Sequence, residues 1–196
     1  ISFSYTQEQD SVIDIRIAVT GGKEDRDREY EIAVDTASTA ISGVHFEPLP
    51  QKLTIKKGEL SDVIKLRLLR TPEMETTSYI LKLNLLPNAN FGTRFQTRMV
   101  GGKAMSTIST KVRIDDVLKK PARWVDANWG VFTRVKLFFV CEFLGITPFY
   151  LEDGLTPAEN YSLPRMVQRH LDKLKDEGNT KFEADGTPMT MGPQSK

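Results

Sequence analysis

The sequence predicts a mainly β chain. An immunoglobulin-like antiparallel β-sandwich covers residues 1–114, a small α-helical region covers 115–178, and a weakly ordered tail covers 179–196. Three observations predict this. About seven short runs with a two-residue hydrophobic period follow one another in the first unit, at the spacing of a sandwich. The stretch from Asp25 to Arg70 reads as an alternating strand, a Ser/Thr/Gly-rich connection, a short strand, a Lys-Gly turn and another alternating strand. After Pro121 the period of the apolar positions lengthens to three and four residues.

Taken in order, Ser2 to Tyr5 alternates and is expected as a short edge strand. In Val12 to Val19 the side carrying Ile13, Ile15, Ile17 and Val19 must be the buried one. Thr20, Gly21 and Gly22 break that strand, and the charged KEDRDRE segment crosses solvent. Glu29 to Val34 points Tyr30, Ile32 and Val34 one way. The small polar residues of TASTAISGVHF favour turns, and Pro48 and Pro50 remove two backbone donors. Leu53 to Ile55 is a short strand, followed by a turn in which Gly58 takes positive φ at little cost.

Val63 to Leu69 and Tyr79 to Leu85 are the next strands, joined by the polar RTPEMETTS loop. Pro87 to Ser106 is expected as a long loop with little regular structure. Thr107 to Ile114 closes the set. Val131 to Leu144 reads as a helix ending at Gly145, although its aromatic and β-branched content also suits a buried strand. A last helix starts near Ser162 and Pro164 and ends at Gly178, with Met166, Val167, His170, Leu171 and Leu174 on one face. The polar tail with Gly186, Pro188, Gly192 and Pro193 is expected to be weakly ordered.

The 27 basic and 26 acidic residues nearly cancel, and no basic cluster interleaves with aromatics, so nucleic acid is not an expected partner. No apolar run approaches the roughly 20 residues that span a bilayer. The lone Cys141 excludes an internal disulfide framework and reads as a buried small hydrophobe. The chain begins at Ile1 with neither an initiator Met nor a signal peptide, which predicts an export segment already removed.

No nucleophile-elbow, zincin, P-loop or dinucleotide fingerprint occurs, and Glu152 and Asp153 are adjacent and cannot by themselves flank a glycosidic bond. His45 and His170 fall in different units without a second ligand nearby, so no zinc or iron site is expected. The expectation is therefore a protein with no catalytic residues, no metal and no cofactor.

Two patterns resemble known families. Val34 to Phe46 reads V-D-x-x-x-T-A-x-x-G-x-H-F and Leu53 to Glu59 reads L-T-I-x-x-G-E, which resembles the Calx-beta type of sandwich. With Asp25 and Arg26 upstream, Arg70 and Thr71, and the W-x-x-x-x-W-G of Trp124, Trp129 and Gly130, the chain to about Gly154 resembles a Bacteroidetes family of unknown function seen mostly as surface or periplasmic lipoproteins. That resemblance implies export and an outer-membrane tether through a lipidated Cys upstream of Ile1, on the cell surface or in the periplasm. It also implies a place beside outer-membrane nutrient-uptake systems. Calx-beta sandwiches include calcium binders, but the corresponding connection here offers only Asp35 and Glu47, with His45 where an acidic residue is common, so calcium is not expected.

Two surfaces are candidates for binding. Phe149, Tyr150 and Tyr161 with Glu152 and Asp153 suit a glycan, whose rings stack on aromatics while carboxylates take hydroxyls. The favoured reading of Phe149 and Tyr150 is that they anchor the loop between the helices, with Glu152-Asp153-Gly154 as its turn. Trp124 and Trp129 either join that surface or seal the junction between sandwich and helices. Phe91, Arg94, Phe95 and Arg98 suit a protein partner, since interfaces favour aromatics and Arg. The expected function is a non-catalytic accessory lipoprotein, a binding or scaffolding module of an outer-membrane glycan-uptake system. The alternative is a protein-binding scaffold with no glycan ligand, and a hydrolase is the remotest reading. A glycan module predicts a cleft rimmed by exposed aromatics, whereas a scaffold predicts a flatter apolar patch within Phe91 to Met99.

Overall fold

The computed structural model describes residues 1–195. It forms two compact units, Ile1–Val117 and Leu118–Lys196. The first unit is built of antiparallel sheets and the second is mainly helical.

In the first unit, β1 (Asp10–Ala18) pairs with β4 (Ser61–Leu69), with Ile15 opposite Ile64. A second sheet has the order β3-β2-β5-β8, from β3 (Leu53–Ile55), β2 (Arg28–Val34), β5 (Tyr79–Leu86) and β8 (Ser109–Ile114). Alternation decides the faces. Ile15 and Ile17 of β1, Ile64, Leu66 and Leu68 of β4, and Leu81 and Leu83 of β5 point into one core with Phe3, Phe46, Ile55 and Met74. Full burial of each such side chain is worth about 1.5–3 kcal/mol, so this core is the main source of the unit's stability. Tyr30 of β2 donates its hydroxyl to Asp62 Oδ2 of β4 at 2.8 Å, which ties one sheet to the other.

Several expectations change. Ser2 to Tyr5 is not a strand: Ser2 makes a single bridge to Asp115, and Phe3, plugged into the core, donates its N–H to the Asp115 carbonyl. Pro87 to Ser106 is not featureless either. It contains a hairpin of β6 (Thr97–Val100) and β7 (Lys103–Ser106), closed by Gly101 and Gly102 at φ of 56° and 78°. Positive φ at both central residues is the demand of a type I′ turn, which a Gly-Gly pair meets without strain.

In the second unit α1 (Asp126–Trp129) is a single turn, and α2 (Arg134–Leu144) is capped by the Thr133 hydroxyl and ends at Gly145, whose φ is 65°. Helix α3 (Pro157–Asp176) starts earlier than Ser162. Thr156 and Glu159 form a reciprocal capping box ahead of Pro157, a stronger start than Ser162 offers. Pro164 thus lies inside the helix. It has no N–H for the Asn160 carbonyl, and Asn128 Nδ2 donates to that oxygen instead, at 2.9 Å.

The tail is not loose. Met189, Met191 and Ser195 are buried, Met191 donates its N–H to Gln168 Oε1 at 2.7 Å, and Gly192 donates to the Asn128 carbonyl. The polarity of the tail misleads because its two methionines and its backbone, more than its side-chain composition, make the contacts. At Gly192 a methyl group would overlap the Ala127 carbonyl, so only glycine allows this approach to α1.

Candidate functional site

Trp124 and Trp129 are both buried, their rings 5.4 Å apart, with Phe132 edge-on to Trp124. Each indole N–H is used internally: Trp124 donates to the Gly130 carbonyl at 2.9 Å and Trp129 to Asn160 Oδ1 at 2.5 Å. Asn160 also donates to the Arg123 carbonyl, so its amide is spent on Trp129 of α1 and on the backbone just ahead of α1. The two tryptophans are core of the helical unit and offer no free face to a ring ligand.

The remaining aromatic candidates divide. Phe149 is 66% exposed and Tyr161 49% exposed, the latter with the Arg165 guanidinium 3.8 Å above its ring. Tyr150 donates its hydroxyl to Glu159 Oε1 at 2.8 Å, and that bond pushes the phenol's pKa up. Tyr150 thereby ties the π-helical turn Tyr150–Gly154 to the capping box of α3. Glu152 accepts the Ala122 N–H at 2.9 Å, whereas Asp153 is exposed. Of this set only Phe149, Asp153 and Tyr161 present much surface.

A basin of about 610 Å³ lies against the tail, with Lys136 and Glu183 in its wall. Their side chains are 5% and 10% exposed, and Lys136 Nζ stands 2.9 Å from Glu183 Oε1. No donor is aligned with that oxygen, so the pair is held by charge, while Thr133 donates to Glu183 Oε2 at 2.6 Å and Lys136 donates to the Val131 carbonyl. The arrangement closes on itself and anchors the tail. The Cys141 thiol on α2 is buried, and burial pushes its pKa up to about 11, which disfavours a nucleophilic thiolate.

In the first unit the Val34 to Phe46 motif is a structural corner. Asp35 accepts from Ala37 N–H, Asn84 Nδ2 and Lys82 Nζ, and these donors, the lysine foremost, hold its carboxyl well below the usual range. His45 is buried against Tyr79, ring centroids 3.9 Å apart, and its Nδ1 accepts the Ile41 N–H at 2.9 Å. Arg70, in the Arg-Thr motif, grips buried Asp116 with Nε and Nη2 at 2.9 and 2.7 Å. These motif residues are spent on the fold.

The partner-facing candidates are placed differently. Phe91 lies against the core with the Arg28 guanidinium over its ring, so it is not part of an outer patch. Arg94, Phe95 and Arg98 are exposed, Phe95 to 77%. Every residue of β6 and β7 is exposed; Met99, at 69%, lies within the expected Phe91 to Met99 patch, and Val100 and Met105 add apolar surface beyond it that the sequence does not mark. The Gly-Gly pair between two short alternating runs was the signal for the hairpin itself. Below the hairpin a cleft of about 790 Å³ runs between β1 and β8, lined by apolar side chains that include Ile13, Ile17, Val19, Leu85 and Val112, with Phe95 and Met105 at its rim. This hairpin and cleft are the candidate site. What it offers is apolar surface with flanking guanidinium groups.

Among the described residues no helix is long and apolar enough to cross a membrane. No curated protein matches the chain. The arginine-aspartate tie, the Asp35 corner and the buried Trp-x-x-x-x-Trp-Gly all lie within residues 1–146, which match the model of a domain of unknown function, and the chain belongs to that DUF4843 family.

Proposed function

We propose that the protein is a non-catalytic binding module that serves as an accessory scaffold for a protein partner, taken on the β6–β7 hairpin. The observation that carries this reading is the exposure of Phe95, Met99 and Met105 beside Arg94 and Arg98, on an element whose side chains are all exposed. Large exposed apolar side chains rimmed by Arg fit a protein interface, where aromatics, Met and Arg are enriched. In the same reading the sheets form a Calx-beta-like, immunoglobulin-like sandwich, the protein is an exported Bacteroidetes lipoprotein tethered at the outer membrane, and the partner belongs to a nutrient-uptake assembly. The resemblance of the sequence to such lipoproteins supports those parts.

The test is retention of outer-membrane proteins, solubilised in mild detergent, on the immobilised chain and on a Phe95→Asp/Met99→Asp variant. A protein held by the parent and lost from the variant is the expected result. Equal retention by both overturns the assignment of the hairpin. A second reading, a glycan site at Phe149, Asp153 and Tyr161, is favoured by the exposure of those two rings. Retardation in affinity gels containing soluble polysaccharides, abolished by Phe149→Ala or Tyr161→Ala, would replace the protein-partner reading with it.

A further inference from the structure

The strand that walls one side of the cleft below the hairpin points to self-association, an inference that does not rest on the hairpin's holding a partner. Strand β1 is nine residues long and belongs to a two-stranded sheet, with β4 as its neighbour on one side and no strand on the other among the described residues. The Val19 N–H bonds to the Leu60 carbonyl and the Arg70 N–H to the Gln9 carbonyl. Odd-numbered residues of β1 therefore direct their backbone groups at β4. Antiparallel pairing alternates, so Asp10, Val12, Asp14, Arg16 and Ala18 turn theirs to the open edge, which borders the cleft toward β8. An edge of this length is a template for another strand.

The side chains of β1 select which strand. Ile13, Ile15 and Ile17 face the core, and Asp14 and Arg16 are exposed on the other face. Pair this strand with a second copy of itself, antiparallel, about a twofold axis at Ile15. Asp14 then stands opposite the partner copy's Arg16, Arg16 opposite its Asp14, Ile13 opposite Ile17 and Val12 opposite Ala18. The open backbone groups meet each other, and core-facing residues meet core-facing residues, as a continuous sheet requires. A two-residue shift of register sets Asp14 against Asp14 or Arg16 against Arg16, and a one-residue shift mixes the faces. Opposite charges directly across strands stabilise and like charges destabilise, so one register is favoured over its neighbours.

We propose that β1 is the homodimerisation strand of this protein: two copies join edge to edge in an isologous contact centred on Ile15, with reciprocal Asp14–Arg16 pairs fixing the register. The same charges discourage unrelated strands, because a foreign edge lacks the reciprocal pattern.

Sedimentation velocity of the full chain over a concentration series tests this, with circular dichroism confirming that each variant is folded. The expected result is a species of twice the 22.2 kDa chain mass that grows with concentration. Asp14→Arg and Arg16→Asp each place like charges opposite one another and should raise the dissociation constant by about tenfold or more. Mixing those two variants should restore dimers, since every cross-pair is then of opposite sign. Ala18→Pro should also weaken the dimer while leaving the β4 ladder intact, because it deletes a donor on the open edge alone. A chain that stays monomeric throughout, or a dimer indifferent to the charge variants and to their mixing, overturns the proposal. Neither result depends on whether the hairpin retains a partner protein.

Discussion

Individual side chains in the first unit are tuned to one protonation state, and His45 is the clearest. Burial against Tyr79 and acceptance of the Ile41 N–H by Nδ1 both favour the neutral ring, and desolvation lowers its pKa below the ordinary 6.5 despite an opposing pull from Glu73. The unfolded chain therefore takes up a proton that the folded chain resists. Stability contributed by the neutral ring is complete above about pH 6.5 and is lost as pH falls below it. Thermal melts at pH 7.5 and 5.5 should show a fall in Tm for the parent chain, and a smaller fall for His45→Gln; equal falls would show that His45 does not carry the effect. Asp35 acts in a separate window, since its lowered pKa keeps its contribution until much more acid conditions. In the sequence His45 is legible only as a lone histidine without nearby ligands, whereas its stacking on Tyr79 and its bond from Ile41 are not. The burial of Lys136 was not legible, because nothing in RVKLFF says that a glutamate some 50 residues later will meet it.

Elements with local signals matched their expected spans closely. β3 coincides with the expected Leu53 to Ile55, and α2 ends at Gly145, because a two-residue period and a left-handed glycine are written within a few residues. The start of α3 was misplaced because Pro164 reads as a first-turn proline, yet a side chain from α1 accepts the role its missing N–H leaves open. The tail is the element most dependent on distant partners, and its anchor is testable. Lys136→Met leaves Glu183 buried without its cation and should cost about 3 kcal/mol in urea unfolding. Adding Glu183→Leu should recover much of that loss, because the uncompensated charge is then gone. A single variant as stable as the parent chain would show that the pair does not hold the tail. The tail carries no periodicity that marks it in the sequence, since Met189 and Met191 work through side-chain burial and backbone hydrogen bonds to distant residues and Gly192 through close approach to Ala127.

At the scale of the whole molecule, each unit has its own buried core, and the family match ends at residue 146, just past α2 and before α3. A fragment of residues 1–117 should therefore unfold cooperatively in calorimetry, since it keeps the sheets and their shared core. A fragment of residues 1–146 should associate or precipitate, because it retains α2 and exposes Leu137, Val140 and Cys141 without α3. A 1–146 fragment that stays soluble and forms no species larger than the parent chain does would contradict this view of the second unit. The sequence alone determined the β-rich first unit, the helical second unit and the faces of the strands, because those follow from period and turn chemistry within short windows. Tertiary structure alone decided that both tryptophans are core, that Phe91 lies beneath Arg28 while Phe95 stands free, and that the tail is anchored. It also decided which edge of β1 is left open, because burial and pairing are set by residues far apart in the chain, and no local pattern records which of them meet.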